Sequence, residues 1–428
     1  MRSSILPDRI IDFFDRYHER LLLASLLLFV VLIPYQWIFP PVTAGIVAFW
    51  LIFLLHSKVL TKWRKTFSDP WSWVWIGYYV WIIFGVSYSP NPHEGWLDVT
   101  LKITLLLWPL GFTGEGREIM SRMRLPILRG FLLSLALSDI LLLILASADA
   151  LRTGDHGLFF YHHLARWEMI PMHYMALYNS FGALVAWGLW MRDRSDWKWI
   201  YLIAGVISLM MVGLLSVRIQ FLALPFSLLT VTLLHFRKRG RALMGLASVL
   251  AILLVGIMIL PGPQRRIKET FDEFASINGM VNNKQTNHRV FIWRYGAEII
   301  SENPLLGVGT GGAEIHLREK FKDCKAKFWN GTENYTLDQF PYNFHNVFMQ
   351  AWGTNGLPAF LILLGVFLFG MVTAFRHRDA FLLGFLLLSG VSFMTESMLE
   401  RQAGVLFFGF FLSFLLFSTK KEETSNKE

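Results

Sequence analysis

The chain has 428 residues, of which 54% are hydrophobic and 17% charged, and its formal net charge at pH 7 is +9. This composition is too apolar for an ordinary soluble domain, and the single cysteine, Cys324, excludes an intramolecular disulfide. The basic residues are scattered over many short segments and form no single face, which argues against nucleic-acid binding.

About twelve apolar stretches approach the ~20 residues that a helix needs to cross the hydrocarbon core of a bilayer. We therefore predict an all-α, polytopic membrane protein with about twelve transmembrane helices and one large periplasmic loop that contains helices. In chain order the predicted spans are residues 21–39, 42–60, 71–87, 99–112, 125–146, 171–190, 199–215, 221–236, 243–260, 357–374, 381–394 and 404–417.

Segments rich in Lys and Arg alternate along the chain with turns that carry almost no positive charge. Because cytoplasmic loops are enriched in Lys and Arg, the pattern predicts a multi-pass protein with both termini in the cytoplasm. The basic segments are residues 58–65, 117–129, 192–194, 237–241, 376–378 and the tail from Lys420.

One outer segment is much longer than the others and divides the chain. We predict that residues 1–260 form the first nine transmembrane helices, residues 261–356 a large periplasmic loop that is the catalytic lobe, and residues 357–428 the last three helices with a cytoplasmic tail. Loops of this length are usually functional or form a small domain. Inside the loop, residues 290–301 have a helical pattern that ends before Asn303-Pro304, as a proline boundary requires.

The long loop carries an ordered set of motifs. His288-Arg-Val-Phe-Ile-Trp-Arg294 is followed by Asn303-Pro-Leu-Leu-Gly-Val-Gly-Thr-Gly-Gly312, and His345-Asn346 stands just before the next helix. Upstream, Leu215-Ser-Val-Arg218 lies at a short outer turn. Over roughly the second half of the chain, this order resembles the O-antigen ligase and Wzy-type polymerase superfamily.

A further stretch, Pro171-Met-His-Tyr-Met-Ala-Leu-Tyr178, is similar to the His-Pro-x-Tyr stretch of many members. It departs from that pattern because Met172 and His173 follow the proline here.

The resemblance implies an enzyme of the bacterial inner membrane that works without a metal or other cofactor. Its donor would be a glycan linked to undecaprenyl pyrophosphate on the periplasmic side, and in ligases the acceptor is a sugar of the lipid A-core. The family's essential arginines map onto Arg218 and Arg289, and its essential histidine maps onto His345.

The chemistry of such a transfer agrees with these residue types. A glycosyl pyrophosphate already has a good leaving group, so the enzyme needs cations to hold it and a base to activate the incoming hydroxyl. The guanidinium group binds phosphate oxygens bidentately and stays charged beside lipid. Imidazole titrates near neutral pH as a residue type, so we expect His345 to act as the catalytic base, with inversion at the anomeric carbon.

Other residues are weaker candidates for the substrate site. Lys102, near the outer end of a predicted span, is an intramembrane ionisable group and could add charge at the pyrophosphate. Glu396 and Glu400, with Arg401, could orient His345 or bind sugar hydroxyls. The remaining candidates for substrate binding are His173, Arg166 and Asn346.

Several of these residues also have plainer interpretations. Asn346 could be only a helix N-cap, and Arg218 could be an interfacial arginine that extends its charge to water. The histidines at positions 156, 162, 163 and 173 give no convincing ligand set, so no metal site is predicted. The glycine run 307–312 lacks the βαβ context of a nucleotide loop, and we expect it to allow close backbone packing.

The leading hypothesis is an O-antigen ligase that transfers lipid-linked polysaccharide to lipid A-core. A Wzy-type O-antigen polymerase, and then a protein O-oligosaccharyltransferase, are the alternatives within the same chemistry. A polysaccharide or lipid transporter is the alternative outside enzymes, but transporters place charged groups near the bilayer midplane, whereas the candidates here lie at the outer edge.

Overall fold

A computed structural model describes most of the chain, in several ranges. They are residues 8–35, 41–166, 170–193, 195–235, 240, 243–247, 251, 255, 258–259, 261–265, 268, 288–322, 328–329 and 334–419. Half of the predicted span 243–260 lies outside the described residues, as do Cys324 and the basic pair Lys420-Lys421.

The described chain is almost entirely helical. In chain order the α-helices are α1 (Asp8–Leu32), α2 (Pro41–Leu55), α3 (Val59–Ser68), α4 (Pro70–Val86), α5 (Pro92–Leu101), α6 (Ile103–Glu115), α7 (Arg117–Thr153), α8 (Tyr161–Ala165), α9 (Met172–Arg192), α10 (Trp197–Leu215), α11 (Gln220–His235), α12 (His288–Glu302), α13 (Ala313–Lys322), α14 (Val347–Arg376), α15 (Ala380–Phe393) and α16 (Gln402–Ser418). Single 3-10 turns are Ile33–Tyr35, His156–Phe159, Leu337–Gln339 and Met398–Glu400. Two short antiparallel strands, β1 (Phe328–Trp329) and β2 (Asn334–Tyr335), pair with each other.

Several of these helices have the length and composition of membrane spans. Within the described residues, Arg9–Tyr35, Arg117–Thr153, Trp197–Leu215 and Val347–Arg376 each suffice to cross a bilayer, and the bent pair Thr43–Leu55 and Val59–Ser68 would make a fifth span. Shorter apolar helices are Gln220–Leu234, Ala380–Phe393 and Gln402–Ser418. The structure confirms a helical, multi-pass membrane protein, while the count of about twelve spans stays a prediction.

Three predicted spans are broken or extended for local reasons. The predicted span 42–60 ends early, because the chain turns by 109° between α2 and α3. The predicted span 99–112 is interrupted at Lys102, the residue between α5 and α6. The last break is in α14, which begins ten residues before the predicted start at residue 357 and is kinked at Gly356, where φ is +72°.

The centre of the bundle is formed by helices that are apolar on all sides. Almost every residue of α9, α15 and α16 is buried, as expected for helices without a polar face. Aromatic rings join them to the surrounding helices, for example Phe411 of α16 with Phe131 of α7 and Phe181 of α9.

The lobe that contains α12 and α13 has a small core of its own and is docked on the bundle. Its core contains Ile292, Ile299, Leu317, Phe321 and Phe344. A tight turn at residues 307–312 connects α12 to α13 and packs against the end of α4 and the start of α5.

The glycines of this turn permit the docking. Gly309 has a φ of +89°, and a Cβ there would lie 2.6 Å from the Cα of Ser89. Next to it, the Thr310 hydroxyl donates a hydrogen bond of 2.6 Å to the carbonyl of Ile82 and accepts one of 2.6 Å from Asn355 Nδ2. The prediction that the glycine run allows close backbone packing is therefore confirmed.

The opposite end of the bundle is held by buried ion pairs. Glu115 at the end of α6 accepts hydrogen bonds from His18 Nε2 of α1 at 2.8 Å and from Lys62 Nζ of α3 at 2.7 Å. Arg124 of α7 pairs with Asp379, the N-cap of α15, at 2.5 Å. These contacts join the first and last parts of the chain at the end remote from the lobe.

Candidate active site

The carboxylate of Glu396, on the turn between α15 and α16, lies close to basic side chains from three other segments. Oε1 of Glu396 lies 2.9 Å from Nδ1 of His345, and its Oε2 lies 3.1 Å from an Nη of Arg289. His173 Nε2 is 3.8 Å from the same Oε2. The structure thus brings together four of the residues that the sequence singled out, although they lie up to 223 positions apart.

His345 is held in place by contacts of its own backbone and of the residue before it. It adopts a left-handed backbone conformation, with φ of +46°, which is uncommon for a residue with a side chain and costs free energy. Its backbone N–H donates to Asn343 Oδ1 at 2.9 Å. The carbonyl of the preceding Phe344 accepts a hydrogen bond of 3.0 Å from the indole of Trp293, on α12.

Asn346 caps α14 and ties it to the Glu396 turn. Its side-chain oxygen accepts hydrogen bonds from the N–H groups of Phe348 and Met349, and its Nδ2 donates to the carbonyl of Met394 at 3.0 Å. Its backbone N–H donates to Ser397 Oγ at 3.0 Å. The N-cap interpretation of Asn346 is confirmed, and the cap also fixes His345 beside Glu396.

The electrostatics of the cluster keep the Glu396 carboxyl ionised. Burial by itself would raise the pKa of Glu396, but the hydrogen bond from His345 and the charges of His345, His173 and Arg289 lower it to about 2. An ionised carboxylate only accepts hydrogen bonds, so the contact assigns the proton of His345 to Nδ1. Nε2 of His345 is then the ring atom that can accept a proton from a substrate.

Arg218 lies on the turn between α10 and α11, at the same end of the bundle. The turn begins with Ser216, a buried residue with φ of +51°, whose hydroxyl donates to the carbonyl of Gly213 at 2.9 Å. Gln220, just after Arg218, donates from Nε2 to Ser392 Oγ at 2.8 Å. Because Ser392 lies one turn before Glu396, this bond places the Arg218 turn beside the Glu396 turn.

Lys102 is in a separate cluster. Its ammonium group lies 2.7 Å from Asp98 Oδ2 and 2.8 Å from Glu400 Oε1, and the residue is 4% exposed. Burial and the neighbouring Asp98 raise the pKa of Glu400 to about 7, against the opposing effect of Lys102. The turn after α15 therefore carries two acids with different partners, Glu396 in the histidine cluster and Glu400 on Lys102.

Arg166 is also outside the Glu396 cluster. It follows α8 and pairs with Asp149 near the end of α7, at 2.5 Å. Arg294, five residues after Arg289 on α12, is exposed and pairs with Glu298. Within the described residues, no three side chains of the His, Cys, Asp or Glu types are grouped as a metal site would require.

The sequence indicated Glu396 as a residue that could orient His345, and the two are in contact at 2.9 Å. It did not predict that Glu396 also contacts Arg289 and His173.

The hydrogen-bond acceptors Asn343 and Ser397 had no signal in the sequence, because each acts through one backbone contact, Asn343 with the N–H of His345 and Ser397 with the N–H of Asn346. The pairing of Lys102 with Glu400, 298 positions apart, also has no local pattern.

Comparison with known proteins supports the family seen in the motifs. Residues 203–364 match a family model described as O-antigen ligase, Wzy_C. The matched segment contains Arg218, Arg289 and His345, while His173 and Glu396 lie outside it. No curated protein matches the chain. The resemblance to the O-antigen ligase and Wzy-type superfamily is thereby confirmed for this part of the chain.

Proposed function

We propose, with the O-antigen ligase domain of residues 203–364 as the premise, that this protein is a glycosyltransferase that uses a lipid-linked glycan. The donor is a polysaccharide on undecaprenyl pyrophosphate and the acceptor is lipid A-core. The contact between His345 and Glu396, with Arg289 on the same carboxylate, is the observation that carries the proposal.

The proposed reaction is a single displacement. The acceptor hydroxyl approaches the anomeric carbon, and its proton passes to Nε2 of His345 while the new C–O bond forms. The bond from the anomeric carbon to the pyrophosphate oxygen breaks on the opposite face, and undecaprenyl pyrophosphate leaves with that electron pair. The anomeric configuration is inverted.

Glu396 supports the base in the way that a carboxylate supports histidine in many hydrolases. It accepts a hydrogen bond from the Nδ1–H group, fixes the ring orientation and stabilises the imidazolium that forms when Nε2 takes up a proton. Glu396 itself stays ionised, in accord with its lowered pKa of about 2.

The arginines hold the leaving group. Arg289 contacts Glu396 through one Nη, and in the proposed complex the planar fork of its guanidinium group also binds the pyrophosphate oxygens. Arg218 approaches from the neighbouring turn. Substrate contacts of Lys102, Arg166, His173 and Asn346 stay predictions, and Lys102 and Arg166 are paired with carboxylates in the structure.

The topology that accompanies this function has about twelve spans in the bacterial inner membrane. Both termini lie in the cytoplasm, and residues 261–356 form the periplasmic catalytic lobe. The cation-poor end of the helices, where the Glu396 turn lies, is then the periplasmic end.

A gel of lipopolysaccharide from a strain that lacks the gene, beside an extract of its lipid-linked glycans, tests the assignment. A ligase predicts lipid A-core without polymer and polymer retained on undecaprenyl pyrophosphate. Core that carries a single repeat unit would instead indicate a Wzy-type polymerase. An unchanged polymer ladder would contradict both and direct attention to glycoproteins or to transport.

A further inference from the structure

An apolar groove lies at the end of the bundle remote from the Glu396 turn. It has a volume of about 540 Å³ and is formed by the start of α4, the second half of α14 and the last turn of α16. Helix α16 starts beside the Glu396 turn and ends at the groove, so the two sites are about 25 Å apart at 1.5 Å per residue.

The groove is open on one side because a glycine, which has no side chain, forms part of its wall. Gly365 of α14 lines it, and a Cβ built on Gly365 meets no heavy atom within 4 Å. Around this gap the lining is apolar, with Val74, Val366 and Leu416. A cavity of this size and character fits a hydrocarbon chain.

One cation, Arg117, lines the rim, and a second, Lys65, lies close to it. Arg117 lines the groove, donates from Nη1 to the carbonyl of Leu416 at 2.9 Å, and has its guanidinium carbon 5.0 Å from the ring centre of Phe417. Lys65 Nζ is 3.9 Å from the Cβ position of Gly116, the residue next to Arg117. Both side chains are exposed.

The rim also contains one acid, Asp69, whose carboxylate accepts the N–H of Trp71 at 2.9 Å and caps α4. The two cations outnumber it.

A buried donor in the wall lacks an acceptor. Trp71 is 6% exposed and stacks on Phe369 with the ring centres 5.2 Å apart. Its indole N–H has no hydrogen-bond acceptor in the described part of the chain. Buried indole groups usually have a partner, and an ester carbonyl at the head of an acyl chain would supply one.

We propose that this groove binds an anionic phospholipid of the leaflet on that side of the membrane. One acyl chain fills the cavity beside Gly365, the phosphate lies between Lys65 and Arg117, and an ester carbonyl accepts the indole N–H of Trp71. Basic pockets between transmembrane helices are a known means of selecting anionic headgroups. This inference concerns the end remote from His345 and does not depend on the proposed transfer reaction.

Native mass spectrometry of the full-length protein, after titration with phosphatidylglycerol or with phosphatidylcholine of the same acyl chains, tests the site. The wild type should bind phosphatidylglycerol about tenfold more tightly than phosphatidylcholine, since basic residues near the headgroup attract anionic lipids. The double variant Lys65→Gln/Arg117→Gln should lose that preference. If the double variant is unstable, Lys65→Gln alone, which keeps the bond from Arg117 to Leu416, should lose part of it.

The acyl part of the proposal has its own variant and control. Gly365→Leu fills the open space, so it should weaken binding of both lipids. Gly77→Leu, on the exposed face of α4 where a Cβ also meets nothing within 4 Å, should leave binding unchanged. Equal lipid retention in Gly365→Leu and the wild type would overturn the proposal. Displacement of phosphatidylglycerol by a lower concentration of undecaprenyl phosphate would overturn the assignment to a phospholipid.

Discussion

The Glu396 carboxylate is the common partner of several basic side chains at a partly buried site. Its side chain is 13% exposed, and those of His345 and Arg289 are 25% and 30% exposed. A carboxylate at such a site is stable only when paired. The same pairing leaves Nε2 of His345 for the proposed proton transfer, so one set of contacts would serve both the stability of the carboxylate and the proposed catalysis.

The arginine on this carboxylate gives the first prediction. Arg289→Lys keeps the charge but loses the planar fork that can contact Glu396 and pyrophosphate together, so KM for the lipid-linked donor should rise by about tenfold or more. Steady-state transfer kinetics with purified protein measure this. Arg294→Lys, on the same helix but exposed and paired with Glu298, is the matched control. An equal effect of both substitutions would contradict the role of Arg289.

The lowered pKa of Glu396 gives a prediction for stability. A carboxyl whose pKa falls from 4.5 to about 2 on folding contributes stability that is fully present above pH 4.5 and is lost as the pH falls toward 2. Between pH 6 and pH 3.5 the wild type should therefore lose roughly 1 kcal/mol through this group. Thermal unfolding in detergent at both pH values should show a smaller pH effect for Glu396→Gln. The exposed Glu94→Gln is the control, and an unchanged pH effect in Glu396→Gln would refute the account.

At the scale of elements, the start of α14 connects fold and site. Asn346→Ala removes the N-cap and the bond to Met394. We expect about 1 kcal/mol of lost stability together with a lower kcat, because His345 is no longer held beside Glu396. The control Asn91→Ala removes the N-cap of α5, so it should cost stability without a matching loss of kcat. Similar kcat losses in both variants would show that the effect is general.

Sequence reasoning located the helices better than their ends or their partners. Hydrophobic stretches of helical length predicted most of the spans, and the proline boundary predicted the end of α12 to within one residue. The split at Lys102 was missed because it depends on Asp98 and Glu400, which hold the lysine at the break.

The sequence predicted which residues belong to the candidate site, but it did not predict how they are arranged. Family motifs indicated His345, Arg289 and Arg218, and outer charged residues indicated Glu396. That Glu396 is the common partner of His345 and Arg289 depends on contacts 51 and 107 positions apart. Such pairings are set by helix packing, and a local sequence pattern carries no information about that packing.

For the whole molecule, the two ends of the helix bundle differ in charge and in the sites that they carry. One end carries the lobe and the Glu396 turn, and the other carries the basic segments, the ion pairs of Glu115 and the groove beside Gly365. From the distribution of Lys and Arg we expect the second end to face the cytoplasm.

This orientation can be measured directly. In a Cys324→Ser background, a cysteine placed at Arg318 on α13 should react with a membrane-impermeant maleimide in intact spheroplasts. A cysteine at Lys198, at the start of α10, should react only after permeabilisation. The reverse labelling pattern would place the lobe in the cytoplasm, where undecaprenyl-linked polymer transfer as proposed could not occur.

The most direct test of the central claim is glycosyl transfer by His345→Ala in a reconstituted system. Purified protein in matched amounts is given the lipid-linked glycan and lipid A-core, and the product is followed on a gel. Loss of the general base predicts a rate lower by about 10²-fold or more, whereas His93→Ala, an exposed histidine outside the cluster, should transfer at the wild-type rate. Normal transfer by His345→Ala would contradict the account.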